Sequence, residues 1–341
     1  MDGAVSRGSG RRRALVILVA AVAMTLGSTQ AELEYTAAPP ATPSSSDFAV
    51  DCLAVGAAVN APGQIEDRGL SLFRDADQTL GPLTVRRSFD TSLPRSFATS
   101  AGAGDADAGV HSFVSWKPPR FDVRGVVAGK YDAQITAWAT SVPRTGVFAT
   151  SFHEPEDNMS AADFVAYQRH VYPLVKAANP TIKWGPVYMA YWWDSSQPSH
   201  FVGNPKAWFP GKKYADFVGL DWYGPDPQPM TKSASFRTWY QTMLPSGLPL
   251  YITEYGEYAV PVDGTPDPAL EKARARSITQ DAAWIAEHPR IRMWLLWQAV
   301  GATGDWRITD KASQEAWRAV AESGCPARGR ASAKLGASSS G

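Results

Sequence analysis

The sequence predicts an α/β fold, a single-domain (β/α)8 TIM barrel, and three observations carry that prediction. Eight short apolar runs alternate with helical stretches along the chain. The only two cysteines, Cys52 and Cys325, stand at the two edges of that alternating region. No Gly-rich phosphate loop follows the first run, as a doubly wound open sheet would favour; Asn60-Ala61-Pro62-Gly63 occupies the turn.

The runs span 53–59, 83–88, 110–115, 146–152, 182–188, 217–221, 250–253 and 291–297. Most are rich in β-branched or aromatic residues, which suit a pleated, buried surface. Between the third and fourth, Tyr131, Ile135 and Trp138 recur at helical spacing. After the fourth, Phe164, Tyr167, Val171, Leu174 and Val175 share one helical face. Ser160 and Asp163 supply a capping box at its start, and Pro180 follows its end. Residues 270–287 and 311–323 also read as helices, whereas 89–109 and 189–215 read as long loops with short helical turns.

The flanks are different in kind. Arg11–Arg13, an apolar run at 14–26 and the small residues around Thr29-Gln30-Ala31 form a signal-peptide pattern over 1–31. The apolar run is shorter than the roughly 20 residues a membrane-spanning helix needs. A Pro/Ser/Thr-rich spacer covers 32–47, the folded unit 48–325, and a Gly/Ser/Ala/Arg-rich tail 326–341. Without the leader the chain carries 29 basic and 32 acidic residues. That balance gives no electrostatic reason to bind nucleic acid or, after signal cleavage, a membrane. A secreted monomer is expected. Export makes a disulfide plausible. Cys52 begins the first strand and Cys325 follows the last helix, so their bond would staple the chain ends where a barrel closes.

In a barrel, function collects where strands end. The fourth strand ends in His153-Glu154-Pro155-Glu156, the sixth in Asp221-Trp222-Tyr223, the seventh in Thr253-Glu254-Tyr255-Gly256 and the eighth in Trp297. Glu154 and Glu254 therefore face each other across one barrel mouth. Paired carboxyl groups about 5–5.5 Å apart are what a retaining glycosidase needs, one to protonate the leaving oxygen and one to attack the anomeric carbon. Trp116, ending strand three, and Trp193, after strand five, are candidate sugar contacts, because a flat ring stacks on a pyranose face. Glu156 and Asp157 read as helix N-terminal or rim charges, and Glu257 as exposed. The remaining histidines show no metal-ligand spacing, strand one carries no His-x-His pair, and no metal or cofactor is expected.

The chain resembles the clan-A glycoside hydrolases, and most closely glycoside hydrolase family 26, the β-mannanase family. The resemblance runs through the folded unit in order. It is most specific at His153-Glu154, from Trp208-Phe209-Pro210-Gly211 through Tyr214-Ala215-Asp216-Phe217-Val218-Gly219-Leu220-Asp221-Trp222-Tyr223, and at Ile252-Thr253-Glu254-Tyr255-Gly256. It implies Glu154 as general acid/base and Glu254 as nucleophile. It also implies that His153 shapes the site, that Tyr223 hydrogen-bonds the nucleophile and that Trp297 is the sugar platform. An arginine at the end of strand two would support the nucleophile, with Arg87 favoured over Arg86. The stretch Pro155-Glu156-Asp157 departs from the family, so mannan specificity does not carry over. The substrate class expected is a β-linked polysaccharide or oligosaccharide, with endo cleavage expected over exo. The competing reading is a non-catalytic carbohydrate-binding barrel.

Overall fold

The computed structural model describes residues 52–59, 68–144, 146–224, 226–258, 265–301 and 304–326. The leader, the spacer, the turn at 60–63 and the tail beyond Pro326 lie outside the described residues. Eight parallel strands form the frame: β1 (Ala54–Ala58), β2 (Val85–Asp90), β3 (His111–Trp116), β4 (Phe148–Ser151), β5, β6 (Val218–Gly224), β7 (Leu250–Glu257) and β8 (Ile291–Trp297). Strand β5 comes in two pieces, Lys183–Trp184 and Val187–Met189. Each strand pairs with its sequence neighbours, and β8 returns to β1.

The break in β5 is where the barrel changes partner. Its first piece pairs with β4 and its second with β6. The link between them keeps both ladders running: Gly185 N–H donates to Ala149 O, and Pro186 O accepts from Gly219 N–H. Gly185 is needed there, since a Cβ would come within 2.2 Å of the Phe217 carbonyl oxygen.

Helices α1 (Leu70–Leu80), α2 (Val123–Val127), α3 (Asp132–Ser141), α4 (Ala161–Ala178), α5 (Ala234–Met243), α6 (Pro268–Glu287) and α7 (Lys311–Ser323) cover the barrel. Five of them start on a side chain that accepts a backbone N–H: Asp122, Ser160, Ser233, Asp267 and Asp310. Each such cap contributes about 1 kcal/mol. As the sequence suggests, the connections after β2 and after β5 hold only 3-10 turns. Among the described residues no helix is long and apolar enough to cross a membrane.

The core has two layers. Val85, Phe113, Phe148, Phe217, Tyr251 and Met293 fill the lower barrel interior. Outward-facing strand residues pack on the helices, as where Trp116 and Trp184 meet Trp138 of α3. Cys52 and Cys325 are joined, with Cα atoms 5.1 Å apart, and Cys325 N–H donates to Leu53 O. The bond closes a loop of 273 residues. Cross-linking so long a loop removes much unfolded-state entropy. Replacing both cysteines with serine is expected to cost about 3–5 kcal/mol, which lowers the melting temperature by roughly 10 °C. Calorimetry of the double variant beside the oxidised protein checks this.

Candidate active site

Strand β7 delivers its glutamate through a break in register. Leu220 of β6 pairs with Ile252, but Asp221 pairs with Glu254, so Thr253 is an extra residue. A bulge of this kind re-aims side chains. Thr253 and Glu254 both turn into the barrel, although they are adjacent. Thr253 Oγ1 donates to Asp221 Oδ1 at 2.6 Å, and Glu254 Oε1 lies 2.9 Å from Arg87 Nη1. Glu254 Oε2 accepts from the Tyr223 hydroxyl.

Arg87 organises this floor. Its guanidinium is fully buried, forks onto Asp221 at 2.5 and 3.2 Å and lies 4.8 Å above the Phe89 ring. Arg86, one residue earlier, points the other way, as alternation demands. It pairs at 2.6 Å with buried Asp105 and donates to the Arg68 and Ala101 carbonyls, which holds the loop after β2. Of the two arginines, Arg87 is therefore the one that reaches Glu254.

Glu154 approaches from the opposite side on a backbone under strain. Phe152 and Glu154 both have φ of +55°, a left-handed conformation that non-glycine residues rarely adopt. Strain of this kind persists where the surroundings hold it. Here Phe152 N–H donates to Trp116 O and Glu154 N–H to Val187 O, clamping the segment between β3 and β5. His153, between them, sets its ring edge-on to Phe89 at 5.4 Å. Burial first, then Arg87 and Lys117, drive the His153 pKa well below its ordinary value, so the ring is neutral.

Single oxygens of Glu154, Asp221 and Glu254 lie within 4.8 Å of one another. Arg87 is bonded to two of these three groups and supplies the positive charge a cation would otherwise bring. Burial, then the Asp221 charge, push the Glu154 carboxyl up to about 8. The same two causes also push Glu254 up, against the expectation of a readily ionised nucleophile, while Arg87 and the Tyr223 hydroxyl pull it down. Among the described residues Glu154 has no side-chain hydrogen-bond donor, whereas Glu254 accepts from Tyr223 and is ion-paired with Arg87. Tyr223 and Arg87 beside Glu254 favour its charged form, and so favour a shared proton on Glu154.

These groups line a cleft of about 770 Å3 with Phe89, Trp297 and Trp306. Trp297 is braced edge-on by Phe89 at 5.6 Å and by Tyr223 at 6.4 Å. Two expected sugar contacts are not in the cleft. Trp116 is 0% exposed, because Ser115 takes the inward position and Trp116 faces the helices. Trp193 is also buried, against Tyr188, and the aromatic side chain its loop exposes is Tyr191.

Two acids also differ from expectation. Glu156 is no rim charge: its carboxyl accepts Met189 N–H at 3.0 Å and Trp193 Nε1–H at 2.7 Å, and burial pushes its pKa up to about 8. Glu257 is 1% exposed, because it faces outward from β7 toward α6, where burial, then Asp281, push it up to about 9. Asp221 and Phe89 had no assigned role in the sequence, although both sit at strand ends with inward parity.

No family model matches the chain, and no curated protein is significantly similar to it in sequence. Solved structures are similar. An endo-β-1,4-mannanase from Thermotoga petrophila is 11% identical, with 80% of this chain and 77% of that one covered and a TM-score of 0.56. The catalytic domain of a family 26 endo-β-1,4-mannanase from Bacillus sp. JAMB-750 is 14% identical, with 81% and 87% covered and a TM-score of 0.52. The chain has the barrel fold of these glycoside hydrolases. A family 39 glycoside hydrolase from Bacteroides cellulosilyticus WH2 is 15% identical, with a TM-score of 0.53. There 80% of this chain and 64% of that one are covered. More than one glycosidase family therefore shares this frame at similar distance.

Proposed function

We propose that the protein is an exported, retaining β-glycoside hydrolase acting on a β-linked polysaccharide, with Glu154 as acid/base and Glu254 as nucleophile. One observation carries the reading. The two carboxyl groups approach within 4.8 Å across a cleft, and Glu254 is held by Arg87 and Tyr223. Retaining enzymes need about 5–5.5 Å between carboxyl groups, whereas inverting enzymes need about 6.5–9.5 Å to admit a water. The leader pattern and the disulfide support export. The open cleft and the endo-acting structural neighbours support cleavage within a chain.

The chemistry follows from the proton distribution. Glu154 gives its proton to the glycosidic oxygen as the bond from that oxygen to the anomeric carbon breaks. Glu254 attacks the same carbon and forms a glycosyl ester, and the alcohol departs. Glu154, now a carboxylate, takes a proton from water, and the hydroxide displaces Glu254. The proton is back on Glu154 and no cofactor is consumed. Tyr223 and Arg87 steady Glu254 as its charge is used and restored. Trp297 offers a flat face beneath the sugar being transferred.

The proposal is tested by reducing-sugar release from β-mannan, glucomannan, mixed-linkage glucan, β-1,3-xylan and β-1,4-xylan. Proton NMR would follow the first anomer formed. Hydrolysis of one polymer with retained configuration is expected. Inversion, or no hydrolysis of any, would count against it.

The pH profile gives a separate prediction. The acid must be protonated for the first step, and burial holds Glu154 near 8. Activity is therefore present below that value and lost as pH rises through about 8. A kcat/KM profile whose alkaline limb fell near the ordinary carboxylate range instead would remove Glu154 as the acid.

A further inference from the structure

The line from Glu154 after β4 to Glu254 in β7 divides the barrel mouth into two arcs. On one arc stand β8, β1, β2 and β3, with Trp297 and Phe89. On the other stand β5 and β6, and the connection between them brings Tyr191 and His200 to the same cleft. We propose that Tyr191, backed by His200, is a sugar-stacking platform for the leaving-group side of the substrate. This rests on the retaining glycosidase reading, which places the transferred sugar over Trp297.

Tyr191 is 57% exposed, an unusual place for a large aromatic ring. It is nonetheless held. Its ring stacks on His200 with centroids 4.1 Å apart and planes 14° apart, and Trp192 meets it edge-on at 5.3 Å. The His200 Nδ1 lies 3.2 Å from the Tyr191 carbonyl oxygen, and Val202 N–H donates to Trp192 O at 2.8 Å. One ring face is covered by His200.

The platform is also fixed relative to the acid. Met189 and Trp193, two residues to either side of Tyr191, both donate to the carboxyl of Glu156. Glu156 is two residues from Glu154, so one buried carboxyl ties the platform's base to the acid's loop. Glu154 delivers its proton to the leaving oxygen, and the sugar carrying that oxygen lies on the arc next to Glu154. An exposed, rigid aromatic face at that point fits the apolar C–H face of a pyranose. The substrate class is therefore a chain with at least one sugar beyond the scissile bond.

The test uses the Glu254→Gln protein, with calorimetric binding of mannopentaose, cellopentaose, laminaripentaose and β-1,3-xylopentaose. At least one is expected to bind, and Tyr191→Ala in that background weakens it by about tenfold, with binding restored by Tyr191→Phe. Unaltered binding in the Ala variant overturns the platform, and so does binding of none of the four. Hydrolysis by the otherwise unaltered protein separates the two readings. Tyr191-dependent binding without any hydrolysis leaves the platform standing and removes the glycosidase. A second arm compares the pentasaccharide with the glycosyl fluoride of the same sugar, whose leaving group is one atom. Tyr191→Ala is expected to lower kcat/KM on the pentasaccharide about tenfold more than on the fluoride. Equal loss on both overturns the leaving-side placement.

Discussion

Replacing Glu254 with glutamine is expected to lower kcat by roughly 10^4-fold or more while leaving the fold intact. Glutamine keeps the shape of the side chain but cannot attack an anomeric carbon. The loss is therefore chemical. Stability should move the other way or hardly at all. Burial and the Asp221 charge both penalise an ionised Glu254, and a neutral amide escapes that penalty. The proposed nucleophile is thus a residue the fold tolerates rather than requires. Activity of the variant and of the parent is compared at equal concentration, with the denaturation midpoint of each beside it. Loss of activity together with a collapsed midpoint would point to a structural role instead.

Arg87→Met is expected to be the most damaging single change to stability. It leaves Asp221 and Glu254 facing each other at the barrel floor with no counter-charge. Removing one partner of a buried ion pair costs about 3–5 kcal/mol. The cost should depend on pH, with a definite sign. Arg87 lowers the Glu254 pKa, so its removal lets burial push that pKa higher still. A carboxyl whose folded pKa stands above its unfolded value loses stability as pH rises from the unfolded value toward the folded one. The variant should therefore fall further behind the parent at pH 8 than at pH 5. Urea midpoints at the two values check this. A pH-independent loss would mean that Arg87 acts through packing on Phe89 and Phe113. Activity should also fall, because Glu254 would hold a proton at neutral pH.

The eight-strand order was readable because each strand is a short apolar run between helical stretches with caps. The approach of Glu154 and Glu254 at one mouth was readable because strand ends collect at one face in this architecture. Orientation within a strand was not. In a parallel barrel both faces of a strand are covered, so the polar–apolar alternation that marks a half-buried strand disappears. In β2, Val85, Arg86, Arg87 and Ser88 are all buried, and only contacts tell inward from outward. The same loss of alternation hid Trp116, which lies one residue past the inward position.

Glu257 failed for a related reason. Strands β6 and β7 run to Gly224 and Glu257, beyond the apolar runs at 217–221 and 250–253. A glutamate expected to be exposed is instead inside the strand, turned toward α6. The bulge at Thr253 shifts parity along the rest of β7. No propensity in the sequence announces that shift, yet without it Thr253 and Glu254 could not share the barrel interior. Glu156 is not legible as buried because its partners, Met189 at the end of β5 and Trp193 just after it, are more than thirty residues away.

The retaining reaction requires Glu254 to become covalently bonded to the sugar. The most direct measurement uses a 2-deoxy-2-fluoro glycoside, with an activated leaving group, of whichever sugar the polymer panel selects. Fluorine at that position slows the second displacement more than the first, so the ester accumulates. Mass spectrometry of the digested protein should then find one added glycosyl unit on the peptide that carries Glu254. A glycosyl unit on another residue, or hydrolysis of the natural polymer with inverted configuration and no adduct, would contradict it.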